Sequence, residues 1–372
     1  MLGTGSFDAN AGIWRRWEGT SGYVKGRKGE EDQGMAVETD FTGEAEEDLD
    51  EEDEEWAFAA VLEGHDSEVK SIAFSPTSPL IATCSRDKSI WIWEDLDNDD
   101  YETVAVLQEH EGDVKCVAWH PDEELLASSS YDDNIRLWRE DIDDWACCAC
   151  IEGHKGTVWS VEFEGKEVSE RGPVHKDGVF SELDEAQKAV LEERQKAGPR
   201  LLSCSDDLSI RIWRRISKDK PDQPTGQGRM PSIIKTNSIE EEWVEVARLP
   251  QAHERAVYAA SWSRHTGRIV SCSSDGKIVV YEEQWVRSST NATNGANDAA
   301  MPNADSVNDE SNSQDSLAQW VVVAEFENAH EVFEVNHVCW AKRYDKARQD
   351  ESEEVVITTG DDGEVRVWEL VT

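Results

Sequence analysis

The sequence predicts an all-β propeller, and three observations predict it. An Asp followed six residues later by an aromatic side chain recurs along the chain, at Asp8/Trp14, Asp87/Trp93, Asp132/Trp138, Asp207/Trp213, Asp275/Tyr281 and Asp362/Trp368. Five of these Asp residues follow a His (His65, His110, His154, His253 and His330), three of them at an interval of 22 residues. Between the markers lie short runs of β-branched and aromatic residues, four to a unit and separated by turn residues, as in a radially repeated blade.

The units follow in order. The chain opens inside one of them, at Gly3-Thr4-Gly5-Ser6-Phe7-Asp8, so only part of a blade is expected there. The next is complete: Trp56 to Leu62 ahead of His65, then Val69 to Phe74, Leu80 to Cys84 and, past Asp87, Ser89 to Trp93. The units of His110 and His253 keep the same plan. In those of His154 and His330 the interval to the Asp grows to 53 and 32 residues, so insertions interrupt them. Five near-complete blades and part of a sixth are therefore expected, in one domain spanning 1–372. Four stretches depart from the repeat, near 17–55, 164–199, 215–241 and 288–318, and read as disordered inserts between strands, where loops tolerate extra residues. Within the second, Ser181 to Ala197 reads as a short helix capped near Ser181.

Composition excludes several functions. With 37 Lys and Arg against 80 Asp and Glu, the formal net charge is −43. Nucleic acid is an unsuitable partner, because phosphate contacts need basic footprints. Ten of the twelve residues 44–55 are acidic, which reads as a solvated run. No apolar run is long enough for a membrane span and no signal-peptide pattern is found, so no membrane association is expected. The eight Cys show no paired framework, which suits a reducing compartment, and Asn291-Ala292-Thr293 reads as a chance match to a glycosylation acceptor.

Gly64-His65, Gly153-His154 and the Asp-to-Trp interval resemble the signature of the WD-repeat family. The resemblance implies a ring of the seven-blade type, usually closed by an N-terminal strand. Against that plan the closing strand, the first blade and the front of the second are missing, so the expectation is an N-terminally truncated chain. It also implies a buried network in which the His, a Ser two residues before the Asp, the Asp and the Trp bond in series. The sets are His65/Ser85/Asp87/Trp93, His110/Ser130/Asp132/Trp138 and His154/Ser205/Asp207/Trp213; His253/Ser273/Asp275/Tyr281 is weaker, and the last unit has Gly360 in place of the Ser. Ser, His and Asp together also suggest a hydrolase triad. Copies in several blades have a simpler explanation, a structural network that satisfies buried polar groups, so no catalytic residue is expected.

Finer motifs resemble the propeller of the cytosolic iron–sulfur protein assembly machinery. They include residues 82–93, the run from Glu109 to Trp138, Asp143-Asp144-Trp145, Thr157-Val158-Trp159-Ser160 and His330 to Asn336. The resemblance covers the blade segments and none of the inserts. It implies a non-catalytic adaptor in the targeting complex that delivers clusters to apoproteins, cytoplasmic with the nucleus as a second candidate. The implied partners are a helical-repeat scaffold, a small adaptor, a hydrogenase-like cluster donor and client apoproteins, some presenting a C-terminal peptide that ends in an aromatic residue. The competing reading is a WD-repeat scaffold of another complex, a ubiquitin-ligase receptor or a chromatin subunit.

Propeller geometry then selects candidate partner-binding residues. The residue before each motif Asp lies in a turn on one face: Phe7, Arg86, Tyr131, Asp206, Ser274 and Asp361. The residue after the first Val of each innermost strand points to the same mouth: Lys70, Lys115, Trp159, Tyr258 and Asn336. Arg86, Lys70, Lys115, Tyr131, Trp159 and Tyr258 would suit a carboxylate and aromatic side chains. Arg86 also matches a functionally important Arg of the family motif. Cys147-Cys148-Ala149-Cys150 is tempting as a cluster ligand set. Strand alternation puts Cys148 and Cys150 on one face and Cys147 on the other, so no metal site and no cofactor are expected.

Overall fold

The repeat's turns decide where each strand pair begins. In all six units the residue after the motif Asp adopts a positive φ, at Ala9, Lys88, Asp133, Leu208, Gly276 and Gly363. The Asp side chain stabilises that turn by accepting from the backbone N–H two residues on, as Asp87 does from Ser89 at 2.8 Å and Asp207 from Ser209 at 3.0 Å. Tight hairpins thus join the two strands that flank each motif Asp.

The structure, a computed structural model, describes residues 1–17, 55–96, 99–142, 144–174, 183–216, 239–286 and, with short interruptions, 317–370. These residues form six antiparallel sheets. The first contains β1 (Leu2–Gly5), β2 (Asn10–Trp17) and β3 (Glu55–Glu63). Blade 2 contains β4 (Val69–Phe74), β5 (Leu80–Ser85), β6 (Ile90–Asp95) and β7 (Tyr101–Leu107). Blade 3 contains β8 (Val114–Trp119), β9 (Leu125–Ser130), β10 (Ile135–Asp141) and β11 (Asp144–Ile151). Blade 4 contains β12 (Val158–Phe163), β13 (Leu201–Ser205), β14 (Ile210–Arg215) and β15 (Trp243–Arg248). Blade 5 contains β16 (Val257–Trp262), β17 (Ile269–Ser273), β18 (Ile278–Trp285) and β19 (Ala318–Phe326). The last has β20 (Val335–Lys342), β21 (Glu354–Gly360) and β22 (Val365–Trp368).

The all-β propeller is as expected, but the blade count is corrected. Six blades stand among the described residues, four with four strands and two with three, instead of five near-complete blades and a fragment of a seven-blade ring. The reason lies in pairing. The strand ahead of each His does not belong to that His's blade; β3, ahead of His65, pairs with β2, and β7, ahead of His110, pairs with β6. Each blade takes its outer strand from the front of the next unit, so the first blade gains one.

The core lies between blades rather than within them. Ala11, Ile13 and Leu62 of blade 1 pack with Val69, Ile81 and Trp93 of blade 2, and corresponding apolar layers join each later pair of blades. The innermost strands β4, β8, β12, β16 and β20 each lie against the next, and β1 lies against β4. The position before the motif aromatic shows the result: Ile13, Ile92, Leu137 and Ile212 are all 0% exposed, whereas Val367 in β22 is 62% exposed.

The insert near 164–199 contains the helix expected within it and a second, shorter one. It holds α1 (Lys166–Arg171) and α2 (Glu185–Ala197), and α2 is capped by Asp184 rather than near Ser181. Asp184 accepts from Gln187 N at 2.7 Å while Gln187 Oε1 accepts from Asp184 N, a reciprocal box that a cap three residues earlier could not make. Buried Arg200 follows the helix. It bonds Glu164 at 2.7 Å and Glu283 at 3.1 Å, and lies 5.0 Å over the Trp262 ring. Arg194 of α2 closes on the same Glu283, which links blades 4 and 5 through the insert. Residues 44–54 of the acidic run, residues 288–316, most of 215–241 and Asn291 lie outside the described residues. Among the described residues no helix is long and apolar enough to cross a membrane.

Candidate functional site

A repeated irregularity builds the candidate site. In blades 2 to 6 the pairing of the two innermost strands slips at its start: Val69 faces Ser85, but Ser71 faces Cys84, and Lys70 between them is left out. The same slip releases Lys115, Trp159, Tyr258 and Asn336. Such β-bulges re-aim a side chain, and here they turn one per blade toward the end of the ring that carries the motif turns.

There the released side chains meet the turn residues. The Lys70 ammonium lies 5.0 Å over the Phe7 ring, and that of Lys115 lies over the rings of Tyr131 (5.7 Å) and Trp159 (5.0 Å). Trp159 packs edge-on against Tyr258 at 5.2 Å and donates from Nε1 to Asp206 at 2.6 Å. The Tyr258 hydroxyl donates to Glu334 at 3.0 Å, and burial followed by this carboxylate raises its pKa above the ordinary phenol value. Arg86, with its side chain 58% exposed, donates to Glu68 at 3.2 Å, and Glu68 also pairs with Lys70 at 3.7 Å. Lys115, Tyr131, Trp159 and Tyr258 thus make a continuous cation–aromatic belt, while Arg86 and Lys70 share Glu68 beside Phe7. The sequence reading missed Glu68, Asp113 and Glu334, which steady Arg86, Lys115 and Tyr258. Their signal was positional: each immediately precedes the first Val of an innermost strand.

The buried network has a different third member from the one expected. His65 Nδ1 bonds Asp87 at 2.9 Å, but its Nε2 is met by Thr83, and Trp93 Nε1 also donates to Thr83, at 3.0 Å. Ser128 takes this place with His110, Asp132 and Trp138, and Ser203 with His154, Asp207 and Trp213. Ser85, Ser130 and Ser205 instead donate to the backbone carbonyls of Ser67, Gly112 and Gly156. Register explains the change. Trp93 faces Ile81, so Thr83 is its diagonal neighbour on the same face, and Ser85 lies two residues beyond reach. In the last blade Thr358 joins His330 to Trp368, and Gly360 is no gap in the network.

Asp132, His110 and Ser128 reproduce the connectivity of a hydrolase triad, yet Ser128 is fully buried and the Trp138 indole donates to its oxygen. In the tautomer with Nδ1 protonated toward the Asp, Nε2 of each imidazole accepts from the hydroxyl. Burial pushes the His65 and His154 imidazoles below their ordinary pKa despite their Asp partners. Burial works against the Asp132 and Asp275 carboxylates, but hydrogen bonds, led by the His, hold both down at about 2.

The cysteine alternation is also corrected. A bulge beside Trp138 sets Cys147 opposite it and Ala149 opposite Leu137, leaving Cys148 between them. Cys148 therefore points into the core, Cys150 is exposed, and Cys147 lies against Arg136. Burial raises all three thiols, Cys148 to about 12. Among the described residues no group of three His, Cys, Asp or Glu side chains is placed to hold a metal ion.

Known proteins are similar to this chain in sequence. The family described as WD domain, G-beta repeat matches residues 56–94, 101–139 and 244–282. A relative in Aspergillus flavus, named probable cytosolic iron-sulfur protein assembly protein 1, is 50% identical over 379 residues, covering all of this chain and 82% of its own. Relatives of the same name in Penicillium rubens and Phaeosphaeria nodorum are 48% and 49% identical; all of this chain aligns with 83% and 80% of theirs.

Proposed function

The chain belongs to the WD-repeat family of cytosolic iron–sulfur protein assembly proteins, and from that membership we propose that it is a non-catalytic scaffold of cytosolic iron–sulfur cluster assembly. It docks client apoproteins or their adaptors so that a cluster, the cargo of the machinery, is inserted into the client. A helical-repeat scaffold, a small adaptor and a hydrogenase-like cluster donor complete the complex, in the cytoplasm and in the nucleus.

The observation that carries this reading is the bulge-displayed mouth. A rigid sheet holds Lys70, Arg86, Lys115, Tyr131, Trp159 and Tyr258 at one end of the ring, and exposed Arg and aromatic side chains are typical anchors of protein recognition. Cations beside aromatic faces suit a partner segment that ends in a carboxylate and an aromatic ring. The buried networks, by contrast, belong to the scaffold.

Affinity purification of the tagged chain beside its Arg86→Glu form tests the proposal. The expected result is recovery of the scaffold, adaptor or donor, reduced by the substitution. Equal recovery with both forms would move the docking site elsewhere, and recovery of ubiquitin-ligase or chromatin subunits instead would overturn the function.

A further inference from the structure

On the far side of the same mouth the charge reverses. The turn after His330 stands between the tips of blades 5 and 6, where Ala329 N donates to Gly276 O at 3.0 Å and Asp361 N to Glu334 O at 3.1 Å. The turn holds Val332 in solvent, 90% exposed, beside Phe333 at 43%. Glu334 and Asp361 flank it, and Asp206 extends the acidic arc onto blade 4. Among the described residues their hydrogen-bond partners are the neutral Tyr258, Asn336 and Trp159 rather than a Lys or Arg. An apolar pair held in water among uncompensated carboxylates is unfavourable in the free protein on both counts. A single ligand chemistry relieves both: a cation carried next to an aliphatic side chain.

We propose that blades 5 and 6 present a second docking surface, for a partner-protein segment bearing Lys or Arg beside an aliphatic residue. The cation pairs with Glu334 and Asp361, and the aliphatic side chain covers Val332 and Phe333. This surface is separate from the Arg86 half of the mouth, so one face of the ring holds two partner segments of opposite charge at once. Complementary charge sets which segment goes where.

Fluorescence anisotropy with the full chain tests this, using a labelled decapeptide of alternating lysine and leucine and a decalysine peptide as the charge-only control. The lysine–leucine peptide is expected to bind more tightly than decalysine. Pairing Glu334→Gln with Asp361→Asn weakens that binding roughly tenfold or more. Val332→Asp weakens it by a similar factor although it adds a negative charge, and Arg86→Glu leaves it unchanged. Tighter or unaltered binding to the Val332→Asp form, or decalysine binding equally well, would assign the attraction to the overall acidity of the chain and overturn the proposal. So would failure of the lysine–leucine peptide to bind at all. Because Glu334 also steadies Tyr258, the Val332→Asp form reads this surface and the Arg86→Glu form reads the scaffold function, so the two fail independently.

Discussion

At the scale of single residues, stability rests on hydroxyls that each serve two partners. Ser128 receives the Trp138 N–H and satisfies His110 Nε2, all three buried. Ser128→Ala leaves two buried groups unpaired, and we expect a loss of about 2–4 kcal/mol, read from the urea midpoint at constant m. An unchanged midpoint would show that the network carries no net stability. A second residue gives the protein a pH signature. Burial raises the partly exposed Glu162 from 4.5 to about 7, while Trp262 N donates to it at 3.2 Å. The folded chain therefore holds a proton between those values that the unfolded chain has released, so this contribution falls as pH rises through the window. Glu162→Gln should melt higher than the parent at pH 8, by on the order of 1–2 kcal/mol, and alike at pH 4. The Asp132 and Asp275 carboxylates act oppositely: depressed to about 2, they contribute stability above their ordinary range that is lost as pH falls toward 2.

At the scale of elements, one short helix decides whether an insert is part of the fold. α2 carries its own cap, and Arg194 and Arg200 tie it to Glu283 of blade 5. Arg200 is nearly enclosed, with two carboxylates and an indole around it, so Arg200→Ala leaves Glu164 and Glu283 buried with fewer partners. The expected cost is about 3–5 kcal/mol, with faster amide exchange across 185–197 as the specific sign. Exchange in α2 that does not change would mean that Arg194 and the buried Gln187, Val190 and Ala197 hold the helix without Arg200.

At the scale of the whole molecule, stability is shared between neighbouring blades, because the apolar layers lie between them. Leu137, at 0% exposure between blades 3 and 4, and Val367, at 62% on the last blade, occupy corresponding places in their blades. Leu137→Ala should cost about 2–5 kcal/mol and Val367→Ala under about 0.5 kcal/mol in thermal unfolding. Equal costs would show that the fold is not organised by inter-blade packing.

The sequence by itself determined the propeller class, the six Asp turns, the His–Asp pairs and the residues at the mouth. The Asp turns, and the three His–Asp pairs at an interval of 22 residues, are local, and they fix turn and strand whatever the neighbouring blades do. Tertiary structure alone decided which strand joins which blade, since β3 pairs back to β2 across residues 18–54. It also decided that Thr83 and Ser128, rather than Ser85 and Ser130, complete the networks, because a diagonal contact depends on cross-strand register. The cysteines show the same limit. Simple alternation misplaces Cys147 and Cys148, because a bulge forced by pairing with Trp138 resets the faces, and no period in the sequence records a slip made against another strand.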